Sequence, residues 1–162
     1  MEYNYKEASV AELERRWDKN IANNPDDPRW IGWKAEYTAN NRNGKCRTFV
    51  VMYGDDPVGE GTLLFSPDCD VKGRVDLADS KDIVNVNALR IEREHEGKGH
   101  ISKLVRLMEQ YAGDRGYKTA TIGVGAQETR NLGIYLHWGY DKFVRYDIED
   151  NRELILYYSK EL

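Results

Sequence analysis

A glycine-rich turn between a strand pattern and an amphipathic helix pattern constrains the fold of this 162-residue chain more than any other feature. The strand pattern covers 83–92, the turn is Gly97-Lys98-Gly99, and the helix pattern continues to about residue 114. A helix N-terminus presents backbone N–H groups without partners, and glycine lets the chain approach a ligand closely. The stretch therefore predicts an anion site, most often a phosphate site, at the start of a helix. The apolar face that would pack this helix is Ile101, Leu104, Val105, Met108, Tyr111 and Ala112.

The glycine turn also has a simpler interpretation, and two nucleotide-binding motifs compete for it. A strand-to-helix loop can use glycine for its geometry alone, because short motifs match by chance. An ATP or GTP site of the P-loop type needs G-x-x-x-x-G-K-[ST], but Lys98 is followed by Gly99. The dinucleotide fingerprint would need a third glycine at the position of Ser102.

The remaining patterns predict a mixed α/β fold. One helix starts after the N-cap Ser9 and a second starts at Asp27-Pro28, with Asp27 as the cap. The first helix has the apolar face Val10, Leu13, Trp17 and Ile21, and a further helix covers 129–138. Neighbouring strands indicate antiparallel pairs, whereas the strand-helix-strand unit at 83–124 indicates one parallel pair. Strands are predicted at 3–8, 46–53, 58–65, 83–92, 118–124, 143–148 and 154–158, and the polar stretch 66–82 is predicted to be a loop.

In the strand before the turn, the apolar residues switch from one face of the strand to the other. The apolar residues alternate through Val86 and Ala88, and then continue at Leu89 and Ile91. A regular strand covered on one face cannot do this without a bulge, so we expect one at Ala88-Leu89. The alternative is a strand buried on both faces, with its asparagines satisfied locally.

Composition and charge exclude several classes of protein. The net charge of −4 argues against general nucleic-acid binding, which needs a basic surface. The sequence has no apolar run of about 18 residues and no signal-peptide pattern, so we expect a cytoplasmic protein without a membrane span. Cys46 and Cys69 lack metal-ligand spacing and are interpreted as reduced thiols. The length suits one domain over 1–162, and no metal is expected.

Two motifs resemble those of the GNAT superfamily of N-acyltransferases. The first is Glu96-Gly97-Lys98-Gly99-His100-Ile101 after Leu89-Arg90-Ile91, which is similar to the family's [Q/R]-x-x-G-x-[G/A] loop after an apolar-x-apolar triplet. Glu96 and Ile101 depart from the usual residues there. The second covers 128–143 and resembles N-x-x-A-x-x-x-Y followed by x-x-x-G-[FY], with Tyr135, Gly139 and Tyr140 matching in type and spacing. Glu128 and Asn131 stand where the family usually has asparagine and alanine.

The resemblance implies the acyl-CoA N-acyltransferase fold, with a mostly antiparallel sheet, one splayed parallel strand pair and helices on both faces. It also implies direct transfer of an acetyl group from acetyl-CoA to an amine. Tyr135 would protonate the leaving thiolate, although its helical position also fits a core residue. The implied cofactor-binding residues are Leu89, Arg90, Ile91, Glu96, Gly97, Lys98, Gly99, His100, Ile101, Ser102, Asn131 and Tyr135. His100 itself is expected to be a surface residue beside the loop.

The base and the acceptor are less constrained. Glu60 is the candidate base, with Glu92 and Asn87 as alternatives. Trp30, Trp33 and Asn87 are the candidate acceptor contacts, although an aromatic stripe also suits a core.

Asp26 and Asp27 would favour a small or cationic acceptor, and a peptide amine also remains open. The oligomeric state is expected to be a monomer or a homodimer. The alternative function is a non-catalytic acyl-CoA-binding domain on the same fold.

Overall fold

Seven strands and four α-helices form in the computed structural model, which describes every residue from Met1 to Leu162. Their order along the chain is the predicted one. A short 3-10 turn at Arg93–His95 joins the fourth strand to the third helix. The bounds are β1 Tyr3–Glu7, α1 Val10–Asn23, α2 Arg29–Arg42, β2 Cys46–Tyr53, β3 Asp56–Leu64, β4 Ile83–Ile91, α3 His100–Asp114, β5 Thr119–Gly125, α4 Thr129–His137, β6 Lys142–Ile148 and β7 Leu154–Glu161.

The strands form one mixed sheet in the order β1-β2-β3-β4-β5-β7-β6. The sheet is mostly antiparallel, and β4 and β5 are its one parallel pair, as predicted. The register of that pair runs from Ile83 opposite Thr119 to Val86 opposite Ile122. Strand β4 continues to Ile91 beyond this register.

The chain divides into two compact units, and the boundaries along the chain fall after Leu63, Asn87 and Met108. The first unit is Met1–Leu63 with Ala88–Met108. The second unit is Leu64–Asn87 with Glu109–Leu162. The expectation of a single domain over 1–162 stays a prediction.

Helix α1 buries a stripe that is half polar. Ser9 and Glu12 form the capping box that starts the helix, as the sequence indicated. The predicted apolar face is wrong at its first position, because Val10 is 65% exposed. Two polar residues, Arg16 and Asn20, are buried instead, on one face with Leu13 and Trp17.

Helix α2 begins one residue later than predicted. Its first residue is Arg29, and Pro28 precedes it without a side-chain cap. Asp27 still serves the start of the helix, because its Oδ1 accepts a hydrogen bond from the Arg29 backbone N–H at 3.1 Å.

The first unit packs its sheet around glycines in β3. A Cβ at Gly61 would lie 2.7 Å from Cδ2 of Leu89 and 3.0 Å from the sulfur of Met108. Only glycine therefore lets β4 and α3 approach β3 this closely. The fully buried side chains around it include Phe49, Val50, Val51, Val58, Leu63 and Leu104.

The second unit includes the stretch 66–82, which has turns but no helix or strand, so the predicted loop is confirmed. Leu77 and Ala78 are fully buried within it. Asp79 accepts backbone N–H bonds from Lys81, Asp82 and Ile83 at 2.8–3.0 Å. These bonds outweigh burial and lower the pKa of Asp79, so this carboxylate holds the chain at the entry to β4.

No helix of the structure has both the length and the apolar character needed to cross a membrane.

The buried Arg16 provides a test of the packing in the first unit. Replacing it in Arg16→Ala leaves the Glu60 carboxylate, only 3% exposed, without its closest cation. We expect the free energy of unfolding to fall by about 3 kcal/mol or more in urea titrations. The control is Lys34→Ala, which breaks an exposed ion pair with Asp18 and should cost less than about 1 kcal/mol. Equal losses in the two variants would show that the buried pair has no special importance.

Candidate functional site

The Gly97-Lys98-Gly99 turn has the geometry of an open anion cradle. Gly97 has a φ of 74° and Gly99 has a φ of 80°, both in the left-handed region that favours glycine. The turn is exposed, and no atom lies within 4 Å of a Cβ built on either glycine. Helix α3 starts directly afterwards at His100, so its first backbone N–H groups have no hydrogen-bond partner within the helix.

The charges near the turn are mixed. Lys98 lies inside the turn and is exposed. Lys103 lies in the first turns of α3, with its Nζ 5.8 Å from the centre of the Tyr5 ring. The unusual Glu96 is exposed as well, so its carboxylate is hydrated and is not buried in the cradle.

His100 is buried, and the expectation of a surface residue is wrong. Its side chain is 6% exposed, because the tyrosines of β1 cover it. The Tyr5 hydroxyl lies 2.7 Å from Nδ1 of His100, and the Tyr3 ring centre lies 3.9 Å from the imidazole centre. The buried Nε2 of His100 has no hydrogen-bond partner. Burial, followed by the positive charges of Lys103 and Lys98, lowers the pKa of His100.

A second tyrosine-histidine pair holds the segment that enters the turn. The Tyr3 hydroxyl lies 2.6 Å from Nδ1 of His95. His95 and His100 flank the turn, and both bond to tyrosines of β1. The cradle therefore depends on a strand about 90 residues earlier in the chain, which no local motif could reveal.

Strand β4 is irregular where the sequence predicted a bulge. Ala88 has a φ of 54°, a left-handed conformation that is uncommon for a residue with a side chain. The three residues after it, Leu89, Arg90 and Ile91, are half-buried. The Glu92 backbone N–H then donates to the Val58 carbonyl at 2.8 Å, which ties the end of the strand to β3.

The asparagines before the irregularity are satisfied locally. Asn85 is buried, and its amide donates to the Thr121 hydroxyl at 3.0 Å. The Asn87 amide donates to Oδ1 of Asn85 at 3.2 Å. The predicted irregularity and the alternative of a strand with locally satisfied asparagines therefore both hold in part. Ala88 is left-handed, and Asn85 is buried with a hydrogen-bond partner.

Glu60 lies inside a buried ion-pair cluster. Its Oε2 accepts from Nε of Arg16 at 2.6 Å and from the Asn20 amide at 3.1 Å. Its Oε1 lies 3.4 Å from Nη1 of Arg90. Arg16 extends the cluster through a 3.2 Å contact between its Nη1 and Oε1 of Glu92. Both oxygens of Glu60 are thus engaged with other side chains, and Glu60 as the base stays a prediction.

The predicted aromatic stripe divides into a core part and an accessible part. Tyr37, the third residue of the stripe, is buried with an exposed fraction of 5%, and it packs on Trp17 of α1, which is 2% exposed. Trp30 and Trp33 are half-buried, and their ring centres lie 5.1 Å apart. The Arg90 guanidinium lies over two of these rings, 4.7 Å from the centre of Trp30 and 5.3 Å from that of Trp17.

Tyr135 lies on α4 in the second unit. Burial, followed by the negative charge of Glu128, raises the pKa of its phenol. The phenol therefore stays protonated at neutral pH, as a proton donor must. Asn131, one turn earlier on α4, is exposed. Glu128 accepts the backbone N–H of Gly125 at 2.9 Å, so its role in the structure is to hold the end of β5.

The last motif residue, Tyr140, is a core residue. It is fully buried, and its hydroxyl donates to Glu109 at 2.7 Å. Burial is the main cause that raises the pKa of Tyr140. Gly139 precedes it with a φ of 101°, which confirms the predicted glycine at the helix end.

Three potential metal ligands approach one another near the turn. Glu92, Glu94 and His95 have ligand atoms within 4.8 Å of one another. Glu92 is already paired with Arg16 and Lys19 at 3.2 Å and 3.0 Å. One of the three ligands is thus committed to the ion-pair cluster.

Comparison with known proteins gives a family match over most of the chain. The model of the acetyltransferase (GNAT) family matches residues 8–140. A comparison of the sequence with curated proteins gave no significant match.

Solved structures share the fold at low sequence identity. An IAA acetyltransferase from Bacillus cereus ATCC 14579 is 17% identical with a TM-score of 0.67, covering 99% of this chain and 100% of that one. An N-acetyltransferase from Staphylococcus aureus Mu50 is 14% identical with a TM-score of 0.71, covering 99% of both chains. The PaiA N-acetyltransferase from Thermoplasma acidophilum, solved in complex with coenzyme A, is 13% identical with a TM-score of 0.64, covering 100% of both chains.

The burial of His100 predicts a pH-dependent stability. Because its pKa is lowered in the folded state, the unfolded chain takes up this proton more readily. The stabilisation from neutral His100 is complete above about pH 6.5 and is lost as the pH falls toward the folded-state pKa. We expect His100→Gln to lose less stability than the wild type between about pH 6.5 and 5 in urea titrations. The same change at exposed His137 is the control, and parallel pH profiles for all three proteins would contradict the prediction.

Proposed function

Because this chain belongs to the GNAT acetyltransferase family, we propose that it transfers the acetyl group of acetyl-CoA directly to a primary amine of a small-molecule or peptide acceptor. The observation that carries this proposal is the open Gly97-Lys98-Gly99 turn at the start of α3. Two left-handed glycines, an exposed lysine and the free N–H groups of a helix start suit a pyrophosphate. The cytoplasmic location and the oligomeric state stay predictions.

The residues of the first unit would hold the acyl donor. The backbone N–H groups from Gly97 to Ser102 would bind the pyrophosphate, with help from Lys98. Backbone groups of Leu89 and Ile91 would pair with the pantetheine arm, since Ala88 interrupts the regular strand just before them. Acetyl-CoA supplies an activated thioester. Arg90, Glu96, His100 and Ile101, with Asn131 and Tyr135 of α4, belong to the same predicted set and stay predictions; the side chain of His100 is buried.

The reaction needs two proton movements. The amine nitrogen forms a bond to the acetyl carbon, the carbon–sulfur bond breaks, the nitrogen loses a proton and the sulfur gains one. Tyr135 is proposed to supply the proton to sulfur, since its raised pKa keeps the phenol protonated. The proton from nitrogen needs a base or a water relay. Glu60 and Glu92 stay candidate bases and Asn87 a candidate member of a relay; both carboxylates already pair with Arg16.

Thermal unfolding tests the cradle. Acetyl-CoA at about 100 times its Kd should stabilise the protein by about 2.7 kcal/mol. This corresponds to a rise in Tm of about 5–10 °C for a chain of this size. We expect Gly99→Ala to lose most of this rise, because the new methyl group and the altered φ disturb the amide positions.

The matched control is Gly44→Ala. Gly44 also has a φ of 80° and open space around its Cβ, so the backbone strain is comparable. This variant should lose stability by a similar amount but keep the response to acetyl-CoA. If the wild type shows no rise at saturating acetyl-CoA, the proposed function loses its basis.

Tyr135→Phe tests the proton donor. We expect kcat to fall by about 100- to 10,000-fold, because general acid catalysis typically contributes this much. The rise in Tm with acetyl-CoA should stay within about 2 °C of the wild type, since the ring remains in place. Release of free thiol from acetyl-CoA measures the turnover, and Tyr146→Phe is an exposed control. Unchanged turnover would remove Tyr135 from the mechanism, and acetyl-CoA binding without turnover on any amine would favour the non-catalytic binding domain.

A further inference from the structure

We propose that the acceptor amine also carries a carboxylate, and that Arg90 binds this carboxylate and sets the acceptor specificity. This inference rests on the proposed function, and it names the class of amine that the same site takes. The supporting observations are the contacts of the Arg90 side chain within the first unit.

Arg90 is held in place mainly by aromatic rings. Its guanidinium carbon lies 4.7 Å from the Trp30 ring centre and 5.3 Å from the Trp17 ring centre. A guanidinium over aromatic rings is attracted to their faces, and this contact does not use its N–H donors. Trp17 is itself buried, so the support under Arg90 belongs to the core.

The hydrogen-bonding capacity of Arg90 is largely unused. A guanidinium carries five N–H donors. Arg90 makes one side-chain hydrogen-bond contact, in which its Nη1 lies 3.4 Å from Oε1 of Glu60. The shorter bonds of Glu60 go to Arg16 and Asn20. The side chain of Arg90 is 28% exposed, whereas those of Arg16 and Glu60 are 3% exposed. Of Arg16, Glu60 and Arg90, Arg90 is therefore the one that is accessible to solvent, and most of its N–H donors have no acceptor.

The surroundings of Arg90 do not suit a cationic acceptor. One guanidinium already lies over each of the two accessible tryptophan rings, that of Arg90 over Trp30 and that of Arg29 over Trp33 at 5.2 Å. Asp27, expected to attract a cation, is instead paired with Arg29 at 2.8 Å. Since Asp27 pairs with Arg29, an approaching cation would meet the guanidinium of Arg90, and like charges repel.

A carboxylate fits this position better than a phosphate group. The planar fork of arginine binds a carboxylate through two parallel hydrogen bonds. The negative charge of Glu60 offsets part of the positive charge of Arg90. The remaining positive charge suits a singly charged carboxylate better than a doubly charged phosphate group. Arg90 also lies between Leu89 and Ile91, the residues proposed to hold the thioester arm. An acceptor held by Arg90 would therefore present its amine close to the reacting carbonyl.

The carboxylate could belong to an α-amino acid, to an amino acid with a distant amine, or to the C-terminus of a peptide. Matched pairs of acceptors distinguish these three sources. The first pair is phenylalanine and phenylalanine amide, the second is 4-aminobutyrate and 4-aminobutyramide, and the third is trialanine with a free or an amidated C-terminus. Each pair differs only in the carboxylate. Thiol release from acetyl-CoA at one fixed pH then measures kcat/KM for both members. Because amidation also alters the basicity of the amine, the informative quantity is the ratio within a pair, compared between protein variants.

In the wild type, we expect kcat/KM to be higher for the free carboxylate in at least one pair. Arg90→Gln should lower that ratio by about tenfold or more, because hydrogen bonds between charged groups are stronger than those between neutral groups. Arg90→Lys should keep part of the preference through its charge. Arg29→Gln is the matched control, because Arg29 also stacks on a tryptophan but has its carboxylate partner in Asp27. That variant should leave the ratios unchanged. The Tm of each variant, with and without acetyl-CoA, checks folding and binding of the acyl donor.

The outcomes separate this inference from the proposed function. Turnover of both members of every pair without a preference, or a preference that survives Arg90→Gln, would overturn the role of Arg90 and leave the transferase proposal intact. Absence of thiol release with every amine would contradict the transferase proposal. In that case, calorimetric titration of the CoA-loaded protein with the same pairs measures the binding of each member and so still tests whether Arg90 binds the carboxylate. Tighter binding of the carboxylate member, lost in Arg90→Gln, would support the assignment, and equal binding would overturn it.

Discussion

The buried ion pair between Arg16 and Glu60 organises the first unit of this protein. It joins α1 to β3 through a 2.6 Å contact between two side chains that are each 3% exposed. Such a pair adds little net stability relative to an apolar contact, but leaving one partner alone is costly. The register of α1 on the sheet is therefore restricted to the one that matches both charges. Arg90 meets the same carboxylate from β4, so three elements depend on a single group.

Support from distant segments is also what shapes the glycine turn. Its two glycines have φ values of 74° and 80°, which an open loop could adopt in many ways. The histidines on either side are bonded to Tyr3 and Tyr5 of β1, so both ends of the turn are held by the sheet. A rigid framework around a flexible glycine segment is what a precise phosphate site requires. The unpartnered Nε2 of His100 shows that this framework keeps one polar atom buried at some cost.

Local patterns were sufficient for the elements and for the irregular strand. The capping box at Ser9 and the glycine after α4 are short-range signals, and the structure contains both. The parity change at Ala88 predicted a break, and Ala88 has a left-handed φ. The predicted apolar face of α1 was right at Leu13 and Trp17 and wrong at Val10, and it missed Arg16, which a hydrophobicity pattern assigns to solvent. The stretch 66–82 is a loop as predicted, but the burial of Leu77 within it was not foreseen, because the buried residues there follow no period.

By itself, the sequence determined the order of the elements, the mixed sheet, and the glycine turn at the start of α3, because periodicity, capping and turn chemistry act over a few residues. Only the tertiary structure decided which polar residues are buried and what they meet. Arg16, Glu60 and Arg90 lie up to 74 positions apart in the chain, and Tyr5 lies 95 positions from His100. Their pairing depends on how α1, β1 and β4 pack, and long-range contacts of this kind leave no local periodic signal. The charge and the exposure of Arg90, on which acceptor choice is proposed to depend, therefore became visible only in the fold.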